Sequence, residues 1–369
     1  MSGLLARLFS RREAATVPSM DGVLRPNTLL DQASPLVALP EPDNLVQFGS
    51  NLAFSSGNDV LVLVPDSPAG SPPELFRRFE SRVTALAVSS QSVLAVGLDG
   101  KGIGLIGGAY DGLALDQIGG VPAKGPTALA FADADTLIVC IGSAQNGPDE
   151  WQRDLMEMRA TGSVWKVDLR SKAATMLASG LAFPNGVLIR GNRVVVSESW
   201  RHRLLGLDLA AVKAVPDIIL EDLPGYPGRL SEGRDGGAWL AVFAPRSQLI
   251  EFALRERAYC LRMLREIPKE YWIAPTLRSG RSFREPMQGG AVRVHGIYKP
   301  WAPTRSYGLA VQLDTDLLPV RSFHSRADGS RHGIVSICEW QDRVVFASRG
   351  DDLLCTLPLD PHSPRDAAR

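Results

Sequence analysis

The corner Phe183-Pro184-Asn185-Gly186 is the stretch of this chain whose residue types and spacing come closest to chemistry. Pro184 fixes its own backbone angle and Gly186 permits a positive one, so Asn185 is held in a tight turn at the mouth of a strand. Two roles suit an asparagine there: capping the turn through its own backbone, or presenting its amide inward to a ligand. Downstream stand Glu198, Trp200 and the basic run Arg201-His202-Arg203. His202, His295 and His332 flank strand phrases, and each is either an acid or base at a pocket mouth or a structural histidine. There is no G-x-S-x-G elbow, no phosphate loop and no C-x-x-C pair, so serine-triad, P-loop and zinc-ribbon chemistry have no support.

The elements that must hold this corner are short strands. Gly191-Asn192 separates the apolar runs Val187 to Ile189 and Val194 to Val196, the two-residue signature of a hairpin, and Leu204 to Leu209 adds a third strand. The same strand-turn-strand phrase starts at Asp43, Val83, Thr127, Asn185, Arg229 and Ile334, about six copies spaced by roughly 40 to 60 residues except for the last gap, which holds an insertion. Such recurrence predicts an all-β, six-bladed β-propeller, in which small antiparallel sheets stack around a central channel. Two stretches interrupt the rhythm. Residues Asn146 to Met158 read as a short helix between two strands of the third blade. In residues 254–303, with Phe252 just before, the spacing of Phe252, Leu254, Tyr259, Leu261, Leu264 and Ile267 predicts an amphipathic helix, a helical insertion between blades. It lies over one rim, either as a lid on the channel or packed against a blade edge. Tyr307 to Phe323 reads as a hairpin of the sheet that closes the ring. The expected boundaries are a tail over 1–40, the propeller over 41–358 and a second tail over 359–369.

Composition narrows the partners. Forty basic and forty acidic side chains cancel, so no overall field draws the protein onto nucleic acid or an anionic membrane. Cys140, Cys260, Cys338 and Cys355 are scattered and read as buried reduced thiols, which favours a cytoplasmic location. The N-terminal MSGLLARLFSRREAA has too brief an apolar patch for a secretory core; it reads as a frayed tail, with a peripheral membrane contact as the alternative.

The order F-P-N-G, Glu198, Arg203-Leu204 resembles the strictosidine synthase-like branch of the six-bladed propellers, which is related to gluconolactonases and paraoxonase-like lactonases. The run Asp149 to Gly162 resembles the D-E-W-x-x-D-L-x-E-x-x-x-T-G stretch of the same branch. The resemblance implies an axial calcium ion held by an early carboxylate, a third-blade Asn or Asp, the F-P-N-G asparagine and an Asp-Asn pair one blade later. Oxygen ligands of that kind suit a hard cation. Transferred residue by residue, Asp43 and Asn185 match, Ile141 falls on the third-blade ligand, and G-Y-P-D-N-I becomes G-Y-P-G-R-L, so that Gly228 and Arg229 replace the last two. A guanidinium repels a divalent ion, so no metal and no other cofactor is expected. Asp43 is expected to pair with Arg229 across the channel, with Asn185 hydrogen-bonded between them. The proton-moving glutamate of strictosidine synthase aligns with Val335, and Glu339 lies further along the same strand. The resemblance therefore implies a small-molecule hydrolase of esters or lactones, or a related lyase, with Asp43, Arg229 and His295 as catalytic candidates. Asn185, Glu198 and Trp200 are the substrate-binding candidates. The alternative is a propeller that binds a small molecule or partner without turnover.

Overall fold

The computed structural model describes residues 17–65, 71–211, 215–282, 285, 293–294, 297–298 and 305–359. Six four-stranded antiparallel sheets form the ring, and their innermost strands are Pro42–Phe48, Val83–Val88, Pro126–Phe131, Pro184–Arg190, Gly225–Glu232 and Ile334–Trp340. These are blades one to six, and the six repeated phrases of the sequence supply them in order.

Why the second strand of each blade is a continuous apolar run follows from ring packing. In Arg193–Glu198 the side chains of Val194 and Val196 point to blade three, and Val195 points to blade five. Both faces of such a strand are buried, so alternation gives way to unbroken hydrophobicity. Six apolar clusters result, one between each pair of neighbouring blades. Each buried valine or leucine in them contributes roughly 1.5–3 kcal/mol. Gly191 takes φ 56° in the turn that pairs Arg190 with Arg193, as the two-residue loop requires.

Three features depart from the expectations. The ring is closed by Ser34–Ala38, inside the stretch read as a tail, which pairs with Leu353–Pro358 as the outermost strand of blade six. Just before it, Leu30 is fully buried and the Asp31 carboxylate accepts a 2.7 Å hydrogen bond from Ser325 Oγ. The hairpin after the insertion, Gly308–Leu313 and Pro319–Ser325, completes blade five instead of closing the ring. Consequently the insertion lies within blade five, between its second and third strands, and not between blades. Its helix Gln248–Arg255 packs on the following helix Arg257–Glu266, which meets the third-blade helix Trp151–Glu157; that helix also leaves its sheet between second and third strands.

All four cysteines are buried and unpaired. Among the described residues no helix is long and apolar enough to cross a membrane. The terminal segments 1–16 and 360–369 lie outside the described residues, and so does His295.

His324 is fully buried on the last strand of blade five, between Tyr307 Oη at 3.1 Å and Ser322 Oγ at 2.8 Å. Burial lowers its pKa from 6.5 to about 4. The folded protein thus binds that proton later than the unfolded chain, and stability falls as pH drops from 6.5 toward 4. The expected loss is about 3 kcal/mol, and His332, also lowered by burial, adds in the same direction. Urea melts between pH 7 and 4.5 should show this slope, and a shallower one in His324→Gln; equal slopes would remove His324 as its source.

Candidate functional site

The site is built by one backbone device used six times. At the start of every inner strand the ladder with the second strand slips, between Asp43 and Val46, Val83 and Ala85, Pro126 and Ala128, Pro184 and Gly186, Pro227 and Leu230, and Ile334 and Ser336. A bulge bends its strand and re-aims the unpaired residue. Here it turns Thr84, Thr127, Asn185, Arg229 and Val335 toward one axial cavity, which Asp43 also lines. The cavity leaves about 60 Å³ open to the centres of water molecules.

Gly186 serves this device differently from the expectation. Its φ is not positive; the positive angle in the corner belongs to Phe183, at 61°. What Gly186 permits is close approach, because a Cβ there would overlap Gly228 O and stand 2.9 Å from Leu230 N. Both are backbone atoms of the next blade and cannot yield. Gly186→Ala is expected to lose about 3 kcal/mol by prising blades four and five apart. An unchanged urea midpoint would refute this.

Arg229 reaches across the axis from blade five. Its Nε and Nη2 donate to Asp43 Oδ1 and Oδ2 at 2.7 and 3.0 Å, Nη2 also donates to Thr84 O at 3.0 Å, and Nη1 donates to Thr127 O at 2.6 Å. One guanidinium is thereby held by blades one, two and three, and it borders both this cavity and a second one of about 370 Å³ further along the axis. Burial pushes the Asp43 carboxyl up, but the Arg229 pair, Arg349 and the Asn44 N–H outweigh it and hold its pKa below the ordinary value. The expected pair is therefore present. Asn185, placed between its partners in the sequence reading, lines the cavity but makes no side-chain hydrogen bond among the described residues.

The remaining candidates separate. Glu198 is fully buried away from the cavity, where its carboxylate accepts from Ala182 N at 2.7 Å, Arg201 at 2.6 Å and Arg203 at 2.5 Å. Its Oε1 takes two of these donors and its Oε2 the third, and it does not line the cavity, so its role is to brace the corner. Trp200 lies behind the cavity wall: it stacks on Phe183 with centroids 4.6 Å apart and donates Nε1 to Asp154 Oδ1 at 2.8 Å. His202 meets Tyr226 and Glu251, and His332 hydrogen-bonds Ser306, so neither lines the cavity. Glu339 accepts from Trp239 Nε1 at 2.7 Å and borders the second cavity.

Arg82, Asp149 and Arg349 also line the cavity. Arg82 and Arg349 are single arginines at strand ends, and Asp149 opens the third-blade insertion; no spacing in the sequence marks them. Of the blade-five insertion, Leu277 reaches the cavity, beside Trp151 of the third-blade helix and Phe243 of the second strand of blade five. Trp151, Phe243 and Leu277 close the cavity, and behind them Tyr226, Ile250, Leu254, Met263 and Trp272 make a separate apolar core. Among the described residues no three of His, Cys, Asp and Glu come together as metal ligands.

No family model matches the chain. It is similar to a strictosidine synthase-like protein of Arabidopsis thaliana, 31% identical over 104 residues, which are 28% of each chain. It is also similar to the adipocyte plasma membrane-associated protein of Danio rerio, 31% identical over 226 residues, 57% of this chain and 46% of that one. The chain thus spans less than half the length of both. The rat protein of the same name is 26% identical over 273 residues, 67% of this chain and 72% of its own. Among solved structures a gluconolactonase of Xanthomonas campestris superposes with a TM-score of 0.56 at 12% identity, covering 88% of either chain, which shows a shared fold. With six blades around one axis and these relatives, the chain is a six-bladed β-propeller homologous to the strictosidine synthase-like and adipocyte plasma membrane-associated proteins.

Proposed function

We propose that the axial cavity is a calcium-independent site for a small organic molecule that presents a carbonyl oxygen, and that the reaction is hydrolysis of an ester or lactone. One observation carries this reading: a guanidinium, fixed by three other blades, occupies the ground that the family resemblance gives to a cation. The residues present do not suit calcium. Asp43 is spent on Arg229, Gly228 offers no side chain, and a dication within 4 Å of the guanidinium would meet about 8 kcal/mol of repulsion at an effective dielectric of 20.

Arg229 commits four of its N–H groups to Asp43, Thr84 and Thr127, which leaves one on Nη1. That N–H and the unengaged Asn185 amide are the donors the cavity offers to a carbonyl oxygen, where fixed charge stabilises a developing oxyanion. The names of the relatives support a small-molecule substrate, and Val335 on the cavity wall argues against the glutamate-dependent condensation of strictosidine synthase.

A second reading is binding without turnover. It is favoured by the ion pairing of both carboxylates that line the cavity, Asp43 and Asp149, which leaves neither free as a base. The two are separated by screening aryl esters and lactones with and without calcium. Turnover that ignores calcium and is lost in Asn185→Ala supports the hydrolase. Thermal stabilisation by such compounds without turnover supports the binder, and neither effect with any compound sinks both.

A further inference from the structure

We infer that the ligand of this cavity carries a carboxylate, bound by Arg349 and Arg82 in place of two acidic side chains of the protein itself. The inference rests on the small-molecule reading above and adds the charge of the ligand to it.

The ion pairs at the cavity fall into two kinds. Inside, Asp43 and Arg229 form a short bidentate pair whose guanidinium is further closed by two carbonyl oxygens. Outside, Arg82 and Arg349 share Glu41 and Asp149. Arg82 lies 2.8 Å from Glu41 and 3.1 Å from Asp149, while Arg349 lies 3.5 Å from Glu41, 3.3 Å from Asp149 and 4.0 Å from Asp43. Arg349 is therefore held loosely, and its buried Nε has no hydrogen-bond partner.

Burial is unequal across these outer pairs. The side chains of Arg82 and Arg349 are 20% and 16% exposed, those of Glu41 and Asp149 are 45% and 44% exposed. The cations sit within and the anions face solvent. Releasing a half-exposed carboxylate to water costs little, since such pairs are worth about 0–1 kcal/mol. Leaving a buried guanidinium with unused donors costs more, and a planar two-oxygen acceptor satisfies it best. Carboxylate exchange at the mouth follows: Glu41 and Asp149 swing outward, and one ligand carboxylate takes the place of two half-exposed ones between Arg82 and Arg349. The cavity wall of Trp151 and Phe243 then receives a compact apolar body.

Calorimetry of the full chain with acetate and benzoate, against acetamide and benzamide at constant ionic strength, tests this. Each acid is expected to bind at least about ten-fold tighter than its amide. Arg349→Gln should remove that preference. Glu41→Gln with Asp149→Asn, which alters only half-exposed groups and keeps the arginines, should tighten benzoate about ten-fold by removing its competitors. Equal binding of acid and amide, or weaker benzoate binding in the Glu41/Asp149 variant, overturns the inference. If neutral esters or lactones bind while the acids do not, the carboxylate is refuted and the small-molecule site stands; if none of them binds, both fall.

Discussion

Arg229→Met is expected to destabilise the propeller by about 3–5 kcal/mol, because it strands the Asp43 carboxylate without its partner in the cavity wall. Methionine keeps most of the packing, so the loss reports charge and hydrogen bonding more than volume. The companion substitution Asp43→Asn should recover much of it, since a buried pair replaced on both sides is often close to neutral. Acid supplies an independent sign. In the parent protein the Asp43 pKa is lowered, so its contribution is present above the ordinary aspartate value and is lost as pH falls through the lower, folded one. In Arg229→Met the main lowering influence is gone while Arg349 and the Asn44 N–H remain, so the folded pKa rises from that of the parent and the variant should regain stability relative to it on mild acidification. Denaturant midpoints at pH 7 and pH 5 measure both effects. A loss under about 1 kcal/mol, with no change in pH slope, would mean that water screens the pair.

This pair was legible in the sequence because a substitution inside a recognisable corner carries its own physics. An arginine where oxygen ligands belong must either face outward or find a carboxylate, and Asp43 was the acidic residue on the same ring of strand starts. Periodicity likewise made the ring legible, since all six phrase starts coincide with inner strands. The rest was hidden for identifiable reasons. Arg82 and Arg349 are ordinary strand-end residues until the ring closes and brings blades two and six to one mouth. Ser34–Ala38 has an exposed and mixed pattern, because the outermost strand of a blade buries little, so it reads as tail. The bulges could not be read at all: they are one-residue slips in pairing that leave composition untouched. Gly186 shows the limit most plainly. A glycine in a corner suggests a positive φ, whereas the constraint comes from a carbonyl on the inner strand of the next blade, 42 positions away in sequence.

Glu198 carries the second large effect, and its sign separates bracing from binding. Removing the carboxylate in Glu198→Ala leaves the buried Ala182 N–H without an acceptor and deprives Arg203, whose side chain is 23% exposed, of its partner. Arg201 is 44% exposed and solvated, so its share is small. The expected total is about 3–4 kcal/mol. Glu198→Gln should recover only part, because its amide oxygen can still accept from Ala182 while its NH₂ faces the donors of Arg203. Ligand affinity of the folded fraction should not change in either variant, because the residue sits on the far side of the Phe183 corner from the cavity. Stability from urea melts and affinity from calorimetry on the same preparations decide the matter. If Glu198→Gln keeps the parent midpoint but weakens ligand binding ten-fold or so, the carboxylate reaches the ligand after all, and the corner owes its shape to Pro184 and the bulge instead.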